Sequence, residues 1–292
     1  MARGYNRCIG DRPMCVKGWP PFVAETLLGD RAARNGGRMR TPKRIALITG
    51  AAGGLGRAAA LRLAAEGARL CLVDRVSMAE VKSEIEALRV PVLDCMADVT
   101  DSGAIRAAVA QFMARFGRID ILVNLAGISS HGSSDDVTEE EWNRVIACNL
   151  SSVFLCCKAV LPIMRSQKYG RIVNISSVLG KNGGNPRPWI DPAEQKRAGS
   201  VAYGAAKAGI HAITSYLAKE NAHLGITVNA VAPGPIATRM TRDFPQTLQN
   251  LIPVGRMGTP EEVADAVAFL AGDSATFITG EVLDVNGGMW VD

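Results

Sequence analysis

The sequence predicts a single-domain α/β fold, a doubly wound parallel sheet of seven strands with helices on both faces. Three observations support this prediction. The 292 residues are 48% hydrophobic, which is enough to bury a sizeable core. Short apolar runs alternate with longer helical patterns, and the runs are apolar throughout rather than at every second position. Uniformly apolar strands separated by helices are typical of a parallel sheet that is buried on both faces.

The predicted elements alternate from residue 44 to the end of the chain. Strand-like runs lie at 44–49, 69–73, 90–95, 119–124, 171–176, 226–231 and 281–285. Helical stretches lie near 55–66, 78–88, 101–116, 139–165, 201–222 and 260–271. This order favours β-α-β units, in which neighbouring strands run parallel. We therefore assign residues 41–292 to one domain.

Residues 1–40 show no sustained helical or strand period, so we expect a poorly ordered N-terminal extension. They lack the apolar core of a secretory signal. They are rich in Arg but not in Ser, which makes a transit peptide a weak alternative. Two interpretations stay open. The extension is either a disordered tail or translated leader sequence ahead of a natural start at Met39.

The net charge of +5 comes from the extension. Of the 33 Lys/Arg and 28 Asp/Glu in the chain, residues 1–40 contain eight and three, so the remaining body is formally neutral. A neutral body argues against nucleic-acid binding, which requires a clustered basic surface. No uninterrupted apolar run approaches the roughly 20 residues that cross a bilayer, so we expect no membrane span.

The cysteines and histidines show no metal-ligand spacing. The chain contains seven Cys and three His but no CxxC and no HExxH, so we expect no metal site. Scattered thiols within apolar runs indicate buried, reduced cysteine in a cytoplasmic protein.

A glycine-rich turn joins the first predicted strand to the first helix, in the sequence Ile45-Ala-Leu-Ile-Thr-Gly50-Ala-Ala-Gly-Gly54-Leu-Gly56. Gly50 can form the tight turn, Gly54 lets the backbone approach a pyrophosphate, and Gly56 allows close packing of the helix. The free N–H groups and the dipole of the helix favour the anion. A glycine triplet alone also occurs in purely structural turns, but this strand–turn–helix context predicts a Rossmann-type dinucleotide site.

The second predicted strand ends at Asp74, about 20 residues after the turn, as a dinucleotide site requires. A carboxylate there can accept hydrogen bonds from ribose hydroxyls and repels a 2′-phosphate, so NAD is favoured over NADP. The neighbouring Arg75 is the argument for NADP, because its guanidinium could serve a 2′-phosphate.

Five motifs follow one another in a fixed order: Thr49-Gly50-(x)3-Gly54-x-Gly56, Asn124-Leu-Ala-Gly127, Ser177, Tyr203-Gly-Ala-Ala-Lys207 and Pro233-Gly234. Together they resemble the short-chain dehydrogenase/reductase family over about residues 43–292. The stretch from Ile252 to Trp290 is most similar to the 3-oxoacyl-carrier-protein reductase branch and its sugar or polyol dehydrogenase relatives.

The resemblance implies four catalytic residues, Asn149, Ser177, Tyr203 and Lys207. Hydride transfer at a carbinol carbon requires an acid/base at its oxygen, and a free tyrosine with a pKa near about 10 ionises too weakly. Lys207 lies one helical turn after Tyr203 on the same face, so we expect its ammonium to lower the pKa of the phenol. Ser177, rather than Ser176, would hydrogen-bond the substrate oxygen. Asn149 would complete a water-mediated proton relay through Lys207.

The same resemblance implies a longer set of cofactor contacts along the pyrophosphate, the adenosine and the nicotinamide. The set contains Gly50, Gly53, Gly54, Leu55, Gly56, Asp74, Arg75, Asp98, Val99, Asn124, Ala126, Gly127, Tyr203, Lys207, Pro233, Gly234, Ile236 and Thr238.

The chain departs from the family pattern at two places. Leu125 replaces the second Asn of the usual Asn-Asn-Ala-Gly, which casts little doubt on the cofactor site. Ser177 and Tyr203 are 26 positions apart, about twice the usual separation. The additional residues lie in 181–200, which is either a substrate loop that walls the site or a solvated insertion. Residues 239–251 resemble the substrate flap of the family, with a short surface helix as the alternative.

The expected function is hydride transfer between NAD(H) and a secondary alcohol or ketone of the sugar, polyol or hydroxyacyl type, with tyrosine as acid/base. The alternative is an NADPH-dependent 3-oxoacyl thioester reductase. Asp74 and the lack of a basic residue in the glycine-rich turn count against that alternative. A remote alternative is a non-catalytic NAD-binding subunit. The resemblance also implies a small-molecule substrate and a homotetramer.

Overall fold

Seven parallel strands form one sheet in the computed structural model of the chain, which describes residues 44–184, 196 and 198–291. In chain order the strands are β1 (Ile45–Thr49), β2 (Arg69–Asp74), β3 (Val92–Met96), β4 (Ile121–Asn124), β5 (Gly170–Ile175), β6 (Ile226–Pro233) and β7 (Val282–Val285). Their spatial order is β3-β2-β1-β4-β5-β6-β7, with every neighbouring pair parallel. The predicted doubly wound fold is confirmed. The predicted extension at 1–40 and residues 185–195 of the predicted loop lie outside the described residues.

Helices connect the strands and lie on both faces of the sheet. They are α1 (Gly54–Ala65), α2 (Ala79–Ala87), α3 (Ser102–Phe116), α4 (Glu139–Ile146), α5 (Ser152–Gln167), α6 (Leu179–Asn182), α7 (Val201–Asn221), α8 (Gln246–Gln249) and α9 (Pro260–Ala271). Local capping sets several of their ends. The Asp101 side chain accepts the first N–H groups of α3, and Thr259 and Glu262 form a reciprocal capping box on α9.

The core has two halves because alternate residues of a strand face opposite sides of the sheet. On one face Ile45 and Leu47 of β1 pack with α3, α5 and α7, where Phe112 is fully buried. On the other face Ala46 and Ile48 pack with α1, α2 and α9. Burial on both faces explains why the strands read as apolar throughout.

Residues 139–165, predicted as one helix, form two helices joined by a π-helical segment at Ala147–Ser151. In this segment the Ser152 N–H donates to the Ala147 carbonyl, five residues earlier. Such segments are rare and often occur at functional sites. The predicted catalytic residue Asn149 lies within it.

The combined segment Glu139–Gln167 is long and apolar enough, by length and composition, to cross a membrane. Polar residues such as Lys158 interrupt the segment, so it contains no uninterrupted apolar run of that length. In the structure Val153, Val160 and Met164 of this segment are buried in the core against the sheet. Packing against the sheet therefore accounts for the apolar residues on its inner face, whereas Phe154 on the outer face is exposed.

The strand order reverses between β1 and β4. From β1 the chain continues to β2 on one side, whereas from β4 it continues to β5 on the other. In open α/β sheets, ligands bind in the crevice outside the carboxyl ends of the strands at this reversal. The glycine-rich turn after β1 and residues 125–127 after β4 therefore border one crevice.

Candidate active site

The glycine-rich turn packs against neighbouring backbone at two positions. Gly50 has a φ of 68°, and a Cβ there would lie 2.7 Å from the Ala126 nitrogen. A Cβ on Gly56 would lie 2.1 Å from the Gly50 oxygen. Only glycine avoids these clashes, so the turn brings the start of α1 directly beside the loop after β4.

The N-terminus of α1 lacks a side-chain cap. Its N-cap is Gly53, and its first turn contains no acidic residue. Leu55 is half-buried against the core, while the side chain nearest to a Cβ at Gly54 is Thr238, at 3.6 Å. Uncapped N–H groups at a helix N-terminus favour an anion, so this turn fits a pyrophosphate.

Asp74 ends β2 beside the turn. One of its carboxylate oxygens accepts the Ala52 N–H at 3.0 Å, and the other accepts the Val76 N–H at 3.3 Å. A carboxylate has about four acceptor positions, so each oxygen can accept a further bond from a ribose hydroxyl.

Cations near this carboxylate interact with acidic partners. Arg57, in the first turn of α1, forms a bidentate pair with Glu84 at 2.5 and 2.8 Å. The positive charge of the exposed Arg75 interacts electrostatically with the Asp98 carboxylate. The pKa of Asp98 lies below its ordinary value, mainly because the Thr100 backbone and hydroxyl donate to it, with a smaller contribution from Arg75.

Two predicted cofactor contacts, Val99 and Asn124, have buried side chains. The Asn124 amide nitrogen donates to Asn174 Oδ1 at 2.8 Å, so this side chain links β4 to β5 within the sheet. Only the backbone of Asn124 remains to border the crevice. The Ala126 N–H donates to Thr49 Oγ1 at 3.2 Å, which ties the loop after β4 to β1.

Asn149 is fully buried in the π-helical segment. Its Oδ1 accepts the Ile128 N–H at 2.8 Å, and its Nδ2 donates to the Ile128 carbonyl at 2.9 Å. A Cβ on Gly127 would lie 3.0 Å from Asn149 Oδ1 and 3.7 Å from Lys207 Nζ. The Asn149 side chain therefore holds the loop after β4 in place. Because both of its polar atoms bond Ile128, the relay that the resemblance implies would have to use the Asn149 backbone.

Tyr203, Ser177 and Lys207 come together where β5 meets α7. Ser177 and Tyr203 line the same cavity, close enough for the Ser177 hydroxyl to act on the pKa of Tyr203. Lys207 Nζ lies 5.6 Å from the centroid of the Tyr203 ring and donates to the Ile175 carbonyl at 2.8 Å. The structure thus places the three predicted residues in one region, at the end of β5 and on the first two turns of α7.

The pKa values of these groups differ from the sequence-based expectation. Burial raises the pKa of Tyr203 more than the bond from Ser177 lowers it. Burial also lowers the pKa of Lys207, to about 8. The expected lowering of the Tyr203 pKa by Lys207 is therefore not observed, because the ammonium lies against the ring and bonds a backbone carbonyl.

Ser176 and Ser177 have different surroundings. Ser176 Oγ donates to the Lys207 carbonyl at 3.0 Å and lies 2.5 Å from His211 Nε2, so it is tied to α7. Ser177 Oγ accepts the Leu179 N–H at 3.2 Å and lines the cavity. The serine that faces the cavity is Ser177.

Pro233 is the last residue of β6, and the other three predicted contacts lie in the loop that follows: Gly234, Ile236 and Thr238. The Gly234 N–H donates to the Val285 carbonyl at 2.9 Å, and a Cβ there would lie 2.9 Å from Asn286 Cα. Ile236 is buried, and Thr238 caps a 3-10 turn at Arg239–Thr241. This loop therefore packs closely on the end of β7, with Thr238 beside the glycine-rich turn.

A cavity of about 610 Å³ contains Ser177 and Tyr203 in its lining. Its volume is that of a typical small-molecule site. Its walls come from residues 129–131, the described ends of 181–200, and 239–251. The apolar part of the lining comprises Val178, Leu179, Met240, Phe244, Leu248, Leu251 and Met289.

The described ends of segment 181–200 are both anchored. At the start, Lys181 Nζ lies 2.8 Å from Asp284 Oδ2. At the end, Gly199 forms an antiparallel bridge with His131. The sequence pattern contained no signal for either partner, because both pairings join segments that are distant along the chain.

No cluster of three or more potential metal ligands occurs among the described residues. The five described cysteines are free, and Cys71, Cys156 and Cys157 are buried. Burial raises the pKa of each of these three thiols, which keeps them protonated and unreactive.

Comparison with known proteins covers almost all of the described residues. A family model described as enoyl-(acyl carrier protein) reductase matches residues 50–290. The chain is 42% identical over 252 residues to the 3-oxoacyl-[acyl-carrier-protein] reductase FabG of Escherichia coli (strain K12), covering 85% of this chain and 98% of that protein.

Two further relatives carry different names. Subunit BbsD of (2S)-[(R)-hydroxy(phenyl)methyl]succinyl-CoA dehydrogenase from Thauera aromatica is 40% identical over 256 residues, covering 86% of this chain and 98% of that protein. The crystal structure of levodione reductase matches with a TM-score of 0.77 at 35% identity, over 85% of this chain and 98% of that one. The likeness thus extends over both the cofactor crevice and the substrate cavity.

Proposed function

The chain belongs to the short-chain dehydrogenase/reductase family, and from this premise we propose that it transfers a hydride between NAD(H) and the 3-oxo or 3-hydroxy group of an acyl thioester. Membership makes it an oxidoreductase that acts on a carbonyl or hydroxyl group. The choice of cofactor and of substrate class is the proposal. The observation that carries it is the Ser177–Tyr203 pair in the lining of a cavity with largely apolar walls.

Proton transfer at the substrate oxygen is the step that this chain performs. Ser177 and Tyr203 are close enough for both hydroxyls to bond one carbonyl oxygen, and in the direction of reduction Tyr203 donates its proton there. The raised pKa of Tyr203 keeps this donor protonated at neutral pH. Lys207, with a pKa of about 8, is mostly charged at neutral pH, and its ammonium lies 5.6 Å from the centroid of the Tyr203 ring. The nicotinamide cofactor, when bound, supplies or accepts the hydride.

The proposal of NAD(H) rests on Asp74. Its carboxylate is fixed beside the glycine-rich turn by two backbone N–H groups, where it can bond ribose hydroxyls and repel a 2′-phosphate. Arg57 is paired with Glu84 and is poorly placed to offset that repulsion. Use of NADPH would require Arg75 to outweigh Asp74.

The cavity suits an acyl thioester better than a sugar or polyol. Apolar side chains such as Met240, Phe244 and Leu248 can bury an acyl chain, which contributes about 0.8 kcal/mol per methylene. Each buried sugar hydroxyl would instead require its own hydrogen-bond partner. Two of the relatives named above act on acyl groups carried by a protein or by CoA. The order of the sequence-based expectations for the substrate is therefore reversed.

A non-catalytic NAD-binding subunit is disfavoured because Ser177, Tyr203 and Lys207 are assembled in one place. The homotetramer implied by the resemblance and the cytoplasmic location indicated by the cysteines stay predictions. Light scattering that gives the mass of a single chain would contradict the tetramer.

Thermal unfolding in separate titrations with NADH and NADPH tests the cofactor. A ligand that binds only the native state raises the Tm by mass action, and we expect the larger rise with NADH. In Asp74→Ala the ratio of the two apparent Kd values should move toward NADPH by roughly tenfold or more. The control Arg75→Ala should keep its NADH affinity. A larger shift of the wild type with NADPH would contradict the Asp74 argument.

Initial rates with the preferred cofactor test the substrate class. We expect kcat/KM for acetoacetyl-CoA to exceed that for a polyol such as sorbitol by about 100-fold or more, because buried polar groups left without partners discriminate strongly. Turnover of polyols without turnover of thioesters would restore the sugar and polyol interpretation.

A further inference from the structure

A largely buried ion pair joins the segment after Ser177 to the last strand of the sheet. Lys181 Nζ lies 2.8 Å from Asp284 Oδ2 and donates to the Val282 carbonyl at 3.1 Å. The Lys181 side chain is 9% exposed and that of Asp284 is 21% exposed. Removing two charges from water offsets most of their attraction, so such a pair adds little net stability. The pair should therefore matter mainly through the position in which it holds Lys181, and only slightly through the free energy of unfolding.

Lys181 lies on α6, the single helical turn that begins two residues after Ser177. The other side of α6 touches the catalytic helix. A Cβ on Gly180 would lie 2.7 Å from the Lys207 carbonyl carbon and 2.8 Å from the Ala208 nitrogen. The turn is thus held between the ion pair on β7 and the backbone of α7, and it cannot shift toward α7 without a clash.

The orientation of Ser177 depends on this turn. Its Oγ accepts the Leu179 N–H at 3.2 Å, and its carbonyl accepts the Gly180 N–H at 3.0 Å. Both donors belong to α6. A displacement of α6 would therefore move the Ser177 hydroxyl relative to Tyr203.

We propose that Lys181 is a positioning residue that, held by Asp284, fixes α6 so that the Ser177 hydroxyl stays within reach of Tyr203 and the substrate oxygen. Lys181 is absent from the cavity lining, whereas its neighbours Leu179 and Asn182 belong to it, so it acts through α6 rather than on the substrate. The inference rests on the roles given to Ser177 and Tyr203 under the proposed function.

Three variants separate positioning from stability: Lys181→Met, Asp284→Leu and the double variant. Each single substitution breaks the ion pair while one of its two charges stays largely buried, so it should lower the Tm. The double variant replaces the pair with apolar side chains, so its Tm and its NADH affinity should return to near the wild-type values. Its kcat should still fall by about tenfold or more, because a small displacement of a reacting group has a large kinetic cost.

The matched control is the exposed pair Arg165–Glu220, which joins α5 to α7 at 2.7 Å away from the cavity lining. The double variant Arg165→Met/Glu220→Leu should keep its kcat. A Lys181→Met/Asp284→Leu variant with wild-type kcat would overturn the proposal. If that variant does not fold, Asp284→Asn takes its place, with an expected fall in kcat of about threefold at unchanged NADH affinity. An unchanged kcat there would also overturn it.

All rates are measured on a ketone that the wild type reduces. A wild type that accepts another ketone but no acyl thioester would contradict the proposed substrate class and still permit the test of Lys181. The two ideas can therefore fail separately.

Discussion

The crevice at the glycine-rich turn and the cavity lined by Ser177 and Tyr203 are built in different ways. The crevice is formed by strand ends and by backbone, and steric contacts at Gly50 and Gly56 fix its shape. The cavity is walled by residues 129–131, by the described ends of segment 181–200 and by side chains of residues 239–251. A backbone-determined site restricts the sequence to glycine at defined positions, whereas a loop wall accepts many side chains. The glycine positions of the crevice can therefore be predicted from the sequence, whereas the substrate that fits the cavity cannot.

The largest effect should come from the proposed proton donor in the cavity. Tyr203→Phe removes the proton donor and should lower kcat by on the order of 10²–10⁴-fold. The NADH-induced rise in Tm should persist, because the glycine-rich turn is untouched. Tyr216→Phe, on the same helix but 79% exposed, is the control and should keep full activity. More than a tenth of the wild-type kcat in Tyr203→Phe would assign the acid/base to another residue.

Two glycine substitutions should distinguish a glycine that the fold of the turn requires from one that NADH binding requires. In Gly56→Ala the new Cβ would lie 2.1 Å from the Gly50 oxygen, so we expect the free energy of unfolding to fall by about 1–3 kcal/mol. NADH binding should be lost as well, because the turn changes shape. In Gly54→Ala the nearest side-chain atom is 3.6 Å away, so the Tm of the free protein should hardly change. NADH affinity should nevertheless fall about tenfold, because the backbone can no longer approach the pyrophosphate. Wild-type NADH affinity of Gly54→Ala, measured by titration, would remove this glycine from the cofactor site.

The smallest effect should come from the cavity wall. Phe244→Ala removes apolar area that an acyl chain would bury, so the KM for a long-chain oxoacyl thioester should rise about three- to tenfold. The NADH affinity should be unchanged. Phe269→Ala, a half-exposed phenylalanine on α9, is the control. An equal rise in KM for acetoacetyl-CoA would show that Phe244 does not contact the chain.

Local patterns predicted the strands because burial on both faces leaves apolar runs that turns interrupt. The run at 69–73 becomes Arg69–Asp74, one residue longer. The third strand begins two residues later than its predicted start at 90 because Arg89 has a φ of 56° and Pro91 follows. The π-helical segment at Ala147–Ser151 has no such pattern, since its residues suit an ordinary helix equally well.

Within the site, the sequence predicted which residues lie together but not how each side chain is used. The glycine spacing and the Tyr203–Lys207 pair are local, and motif and helix period reveal them. The use of the Asn124 side chain inside the sheet depends on Asn174, 50 positions away. The pair of Lys181 with Asp284 spans 103 positions. Pairings of this kind arise from the three-dimensional fold and leave no trace in a single sequence.

Both described ends of segment 181–200 are held in place, which affects how freely the segment can vary in length and sequence. Lys181 is bonded to β7 and Gly199 is paired with His131, so both described ends of the segment are held by residues outside it. Loop-closure entropy grows slowly, by about 0.6 kcal/mol for each doubling of length. We therefore expect the residues between Lys181 and Gly199 to tolerate changes in length and sequence. Such changes would alter substrate specificity while Ser177, Tyr203 and Lys207 stay the same.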